Sequence, residues 1–534
     1  MASIDKVEKN FKKIKNRYFY KYQIEHKKKF KIIKRDFINE LSKSLNKLHN
    51  RNYSIKQWRI LIGPWLNIAL NIYFYYSFFN KFFSKNFKNQ ILSLNLKKNY
   101  PPRDYIEFFH SINKKNNQVY FFKKLINKKL INNNSINKNI NTFKFKINWI
   151  KFFFQKIFNI LSSKNTTFLI RPRFKFKQII KFLIKSCFKI LPLNDLTQIF
   201  KPIGLNYDYK KRLKFLSFFN KKNSHLAKFL IDIIPASYIE NFDIYEEIVD
   251  NHLNVPKIIY SDTAHLDDDL TKFFILKLSL NKFSKILIGQ HGGNHRIHDE
   301  YVTNYNDDYE ICNKYLVWGK PLRDKEIKLS SIRLYNTNII KYRSDKKYDL
   351  CYIFEAIRKN QFQGDFKRND DYLRSLKTKS TFINNLKKNF VVKSYYEKKI
   401  YKQQMSEREL SKSLNINLNR FINSRSVIFE SKIIVLDYLS TMIFELINSN
   451  IPFILILDKS NEYLSNFGKK FIQDLGRMKL FYTDPEKAAK FINNLPSDDK
   501  WWFAKINQQR ILKLKMKYAY VSENHLYDWY KYLK

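Results

Sequence analysis

Apolar positions along the chain follow two periods, and the change from one to the other organises the reading of the rest. Over residues 1–95 they recur at helical spacing, through Phe30, Ile33, Phe37, Leu41, Leu45 and Leu48. Tyr100-Pro101-Pro102 breaks that pattern, and a short helix is expected over 105–112. Residues 125–145 are Asn-rich and low in complexity, which reads as a surface loop or insertion. From about residue 205 short apolar runs alternate with helical stretches. Strands are expected at 257–260, in a run ending at Gln290, and at 315–318, 349–354, 432–436 and 452–457. Helices are expected at 268–280 and 440–448. Strands alternating with helices mean parallel sheets with crossover helices. A charged stretch at 341–347 reads as a linker, so the expected fold class is α/β, with two Rossmann-like domains facing a cleft behind a helical, basic N-terminal region.

One segment raises the question of a membrane span. Residues 60–80 are 21 uncharged positions in a row, nominally enough to cross a bilayer. Gly63-Pro64, Asn67, Asn71 and several tyrosines weigh against that, and the expectation is a helix buried in protein, beginning near Pro64. The stretches 143–161 and 171–191 are basic and amphipathic. They fit either lysine-rich helices packed on a core or helices lying on an acidic bilayer surface.

Charge sharpens the division of the chain. The 534 residues carry a formal charge of +53, and residues 1–200 hold 43 Lys and Arg against 8 Asp and Glu. A basic face of that size attracts phosphate-rich partners, whether nucleic acid or anionic membrane. Lys, Asn, Ile, Phe and Tyr are over-used while Gly and Pro are scarce, so A+T-rich coding also inflates lysine on ordinary solvated helix faces. Zinc-finger spacing, an RNP-like aromatic motif and a basic heptad array are absent, which argues against a sequence-specific nucleic-acid module. Cys187, Cys312 and Cys351 lie far apart without metal-ligand spacing, so a reducing compartment is expected. The first residues, MASIDKVEKNFKK, show no apolar signal-peptide core.

Two constellations carry candidate chemistry. In the first, an apolar run ends abruptly in Gln290-His291-Gly292-Gly293, which puts an imidazole at the carboxyl end of a strand, where open α/β sheets keep their ligands. With only 9 glycines in the chain, an adjacent pair marks a position-specific demand, read as close approach of backbone N–H groups to a ligand. A tight turn with an incidental histidine is the alternative. In the second, Ser440 or Thr441 caps a helix whose N-terminus can face a phosphate, with Glu445 about one turn deeper, where a carboxylate can bind ribose. An ordinary capping box is the alternative there. Asp267-Asp268-Asp269 could be a metal-binding cluster, but it opens a predicted helix, where acidic residues complement the dipole in any case. Nucleophile-elbow, Walker A and GxGxxG signatures are absent.

Five blocks in order resemble a family of transferases from bacterial surface-polysaccharide loci, named after a leptospiral protein. They are Leu45-Asn46 through His49 with 58–66; Asp262 and Asp268-Asp269 with 288–293; Glu310 with Leu316-Val317-Trp318-Gly319; Ser440-Thr441, Glu445 and Ile451-Pro452; and Trp501-Trp502. The resemblance implies a GT-B-like glycosyltransferase with a nucleotide-sugar donor, no cofactor and no obligatory metal, building O-antigen, capsule or a related surface glycan. It implies an acceptor-side domain over 1–340, helical to 200 and α/β over 205–340, and a nucleotide-sugar-binding domain over 341–534 whose last helix returns to the first. His291 and Glu310 become the catalytic candidates. Gln290, Gly292, Gly293, Arg296 and Asp262 become substrate-binding candidates, and Ser440, Thr441 and Glu445 nucleotide-binding ones. Arg296 and Lys320 are further candidates for neutralising a diphosphate. The chain departs from the family pattern in having His295-Arg296 where Tyr-Gly is usual, and Lys320 where an aromatic is usual. The expected partners are a nucleotide-sugar, a glycan or lipid-linked acceptor and an anionic membrane, with the protein in the cytoplasm at the inner membrane face. The competing expectation is a non-catalytic basic protein that binds anionic polymer or membrane through residues 1–200.

Overall fold

The computed structural model describes residues 3–96, 101–112, 114–127, 143–299, 305–337, 346–355, 372–394, 405–422, 424–457, 464–496 and 498–534. The chain opens with a helix at Ile4–His49, where Ser3 Oγ accepts the Lys6 N–H at 3.2 Å, and it closes on Asn50 in the left-handed region. The second helix, Ile55–Asn80, starts about two and a half turns before Pro64. Ser54 and Gln57 form a reciprocal capping box there, so Pro64 lies inside the helix. The expected start near Pro64 gives way because a satisfied cap outweighs one missing N–H. This helix is apolar on all sides because it is surrounded: it packs on Ile4–His49, Lys115–Asn127, Asp269–Leu280 and Tyr305–Ile311. Its polar groups are answered inside the protein. His26 Nε2 lies 2.6 Å from Asn71 Oδ1, and Trp65 Nε1 donates to the Ile233 carbonyl at 3.0 Å. Among the described residues no helix is long and apolar enough to cross a membrane.

The strands in the first half of the chain are β1 Lys144–Ile147, β2 Thr167–Ile170, β3 Ile190–Leu193, β4 Phe200–Ile203, β5 Ile258–Ser261, β6 Lys285–Gly289, β7 Lys314–Val317 and β8 Glu326–Lys328. β1 and β4 make a small antiparallel pair, and the others form one parallel sheet in the order β3-β2-β5-β6-β7-β8. The α/β unit therefore begins at Thr167, inside the stretch expected to be purely helical to residue 200. β2 is buried on every residue, so it shows no alternation, and only four apolar-rich positions separate lysine-rich helices on either side. The expected linker at 341–347 lies mostly outside the described residues, as does most of the Asn-rich stretch.

The second half holds β9 Tyr348–Phe354, β10 Phe390–Ser394, β11 Ser431–Leu436, β12 Phe453–Ile456 and β13 Phe481–Tyr482, all parallel in the order β10-β9-β11-β12-β13. Both sheets are doubly wound: the second strand in sequence lies on one side of the first, and the next strand crosses to the other side. That crossing opens a crevice at the strand carboxyl ends, between β2 and β5 in one sheet and between β9 and β11 in the other. The architecture is thus GT-B-like, two Rossmann-like units with their switch points turned to a shared cleft. Each unit has its own core, and the last helix, His525–Leu533, lies on the first sheet. There Trp529 Nε1 donates to the Ser330 carbonyl at 2.8 Å and Thr167 Oγ1 donates to the Leu533 carbonyl at 2.9 Å.

His49 ends the first helix, stacks on Phe242 and meets the Tyr238 carbonyl through Nε2 at 3.0 Å. Burial lowers its pKa to about 3, with Lys211 and Arg51 adding to the effect. The folded state then binds fewer protons at this site than the unfolded state, and stability is lost as pH falls below about 6.5. From pH 7 to pH 5, wild type is expected to lose about 2 kcal/mol more than His49→Gln in urea unfolding, a difference set by this one group. Equal losses would show that His49 does not stay neutral in the fold.

Candidate functional site

The two constellations expected from sequence meet in space. β6 ends at Gly289, and the turn that follows carries His291, Gly292 and Gly293 to the N-terminus of the helix Thr441–Asn448. The Gly293 N–H donates to Thr441 Oγ1 at 3.0 Å. A Cβ on Gly293 would run into the Phe444 ring and lie 2.9 Å from Thr441 Cα. The pair thus lets the backbone come close, as expected, but what it approaches is the other half of the protein. Gly319 meets the Lys517 carbonyl in the same way, and Gly468 meets that of Ile297. Three of the 9 glycines in the chain therefore sit in one seam.

Ser440 is the cap: its Oγ accepts the Met442 N–H at 3.2 Å. Glu445, buried one turn further on, receives Arg333 at 3.3 Å and Arg425 at 3.1 Å. Gln290 is structural in its contacts. Its Nε2 donates to the Gly292 carbonyl at 3.1 Å and its Oε1 accepts the Trp318 N–H at 3.1 Å, which ties the turn to the end of β7.

Beside the seam lies a small recess, lined among others by Arg173, Asp262, His291 and Arg333. It falls at the switch point of the first sheet, with Arg173 arriving after β2 and Asp262 directly after β5. The two side chains form an ion pair, and Arg173 Nη1 also donates to the His291 carbonyl at 3.4 Å. Burial pushes the Asp262 carboxyl up to about 6, and Arg173 acts against that shift.

Behind His291 a buried polar chain runs away from the recess. The His295 ring lies 4.0 Å from that of His291, and Tyr315 Oη is 3.3 Å from His295 Nδ1. Asp308 contacts His265 Nε2 at 3.0 Å, and His265 Nδ1 lies 3.0 Å from Ser261 Oγ. Burial raises the Asp308 carboxyl, with His265 opposing. A carboxylate behind paired imidazoles stabilises a proton gained by the outer ring. His291, His295 and Asp308 also bring ligand atoms within 4.8 Å of one another, a grouping that could hold a cation.

Two expected residues are placed elsewhere. Glu310 is exposed on the outer side of the helix Tyr305–Ile311, whereas Asp308 points inward. Positions two apart lie on opposite faces of a helix, so only one of them can serve the site. Arg296 is buried with φ 68°, paired with Glu326 at 3.2 Å, bonded to the Lys320 carbonyl and stacked on Phe467. Its charge is committed to the seam. The three aspartates at 267–269 go three ways: Asp267 to Arg171, Asp268 to capping Thr271, and Asp269 to Ser237, Tyr238 and Lys272. Sequence reasoning missed Arg173, Arg333, Arg425 and Asp308. For Arg173 a signal existed, since Arg171-Pro172-Arg173 follows an apolar tetrad as a strand end would.

Two doubly wound units meeting along this seam define a GT-B-like protein. The sequence pattern of the LIC12162 family transferases matches residues 7–533, and the chain belongs to that family. It is thus a transferase. No curated protein matches the chain. Among solved structures, a mutant of the Thermobaculum terrenum O-GlcNAc transferase is similar over 92% of this chain and 96% of its own, with 7% identity and a TM-score of 0.36. A likeness that slight carries no weight for fold or function.

Gly293→Ala forces the helix Thr441–Asn448 away from the turn, and overpacking of this kind costs about 1–3 kcal/mol. Calorimetry should show a lowered melting temperature for the variant. An unchanged melting curve would mean the two halves do not close on this glycine.

Proposed function

We propose that the protein is a glycosyltransferase that moves a sugar from a nucleotide-sugar donor to a growing surface glycan such as O-antigen or capsule. The observation that carries this reading is the partly buried imidazole of His291 in a recess beside Arg173 and Arg333, opposite the capped helix and Glu445. His291 is the general base for the acceptor hydroxyl, and Asp308 and His295 support the charge it gains. Asp262, held by Arg173, orients the acceptor.

On the donor side, the helix beginning at Ser440-Thr441 turns its positive end to the phosphates. Arg333 and Arg425, both gathered on Glu445, neutralise the leaving diphosphate. As phosphate takes those guanidinium groups, Glu445 becomes available to ribose hydroxyls. Two arginines supply the charge a metal provides in other transferases, so transfer needs no added divalent cation.

Thermal-shift screening against CMP-, UDP-, GDP- and dTDP-sugars should give a clear rise with one nucleotide class. Salt-sensitive polymer binding without any nucleotide response would instead support a non-catalytic basic protein. In a purified assay with the responding donor, His291→Ala should lower kcat by about 10²–10⁴-fold. Arg333→Ala should mainly raise the donor KM, and chelation should leave the rate unchanged. Full donor-dependent transfer by His291→Ala would sink the base assignment, and loss of activity on chelation would move the His291, His295 and Asp308 grouping to a metal role.

A further inference from the structure

The helix Trp149–Leu161 is turned inside out. Trp149, Ile150, Phe153, Phe154, Ile160 and Leu161 are between 46% and 82% exposed, while Phe152 and Gln155 face the protein. At about 100° per residue the exposed apolar positions fill one arc roughly 140° wide. Lys156 lies about 20° outside one margin of that arc and Lys151 about 60° outside the other. The strand before the helix exposes Lys144 and Lys146, and Lys146 is in register with exposed Lys201 of β4. Lys164 stands exposed just beyond the helix. Residues 143–192 contain 12 Lys and Arg and no Asp or Glu. The helix Phe176–Lys185, which packs on β3, repeats the pattern, with Phe176, Ile180 and Ile184 exposed among Lys177, Lys181 and Lys185.

We propose that the outward face of the helix Trp149–Leu161 docks on an anionic lipid bilayer, with the helix lying in the plane of the surface. Charge complementarity selects this occupant. A second copy of the chain would set one lysine rim against another, and a nucleic acid would satisfy the lysines while leaving the aromatic arc in water. A bilayer with acidic headgroups takes both, burying Trp149, Phe153 and Ile160 at the acyl boundary and holding the lysines at the phosphates. Trp is suited to that boundary because its ring is apolar with one polar edge. This proposal stands apart from the transfer reaction, and its readout does not involve nucleotide.

The test is flotation of the full-length protein with vesicles of phosphatidylcholine, with and without phosphatidylglycerol. Binding to the anionic vesicles that weakens as salt rises is expected. Ile150→Ser/Phe153→Ser/Phe154→Ser should bind them at least about tenfold more weakly, while keeping the wild-type melting temperature. Lys144→Glu/Lys146→Glu/Lys201→Glu should weaken binding to anionic vesicles alone. The proposal is overturned if anionic vesicles do not bind, if the apolar triple variant binds as tightly as wild type, or if light scattering finds a dimer that this variant splits.

Discussion

The missing side chain at Gly293 is the constraint on which the site depends. The turn after β6 and the N-terminus of the helix Thr441–Asn448 approach until backbone meets backbone, and only a glycine leaves room for Thr441 and Phe444. Gly319 against Lys517 and Gly468 against Ile297 extend the same contact along the seam. Around these points lie the ion pair of Arg333 with Glu445 and the buried Arg296 pair with Glu326. The approach therefore sets the distance between His291 on one side and the capped helix on the other. The C-terminal helix, laid back on the first sheet through Trp529, closes the far end of the same arrangement.

Charge in this protein works at two depths. At the surface, lysine excess is spread widely and each exposed ion pair adds little. In the cleft and under it, polar groups are few and matched: Arg173 with Asp262, Asp308 with His265, and Asp269 with Lys272. Burial raises the Asp262 and Asp308 carboxyls while neighbouring cationic groups oppose it. The helices Trp149–Leu161 and Phe176–Lys185 add a third setting, in which lysines border apolar side chains that the protein itself leaves uncovered.

The sequence by itself determined the parallel α/β plan, because strands such as β5, β6, β11 and β12 are apolar runs bounded by polar caps and turns. It also placed Asp262 and His291 just after strand ends, and Ser440 at the cap of the helix that follows β11. It could not show β2, whose four buried positions look like part of a helix when read among lysines, nor the start of the α/β unit there. Tertiary structure alone decided the partners. Whether Asp308 or Glu310 faces His291 depends on the rotation of one helix turn, and whether Arg296 or Arg333 is available depends on which residues lie across the seam. Spacing along a chain fixes local period, whereas long-range pairing is set by how the elements pack, and that information is spread over residues more than a hundred positions apart.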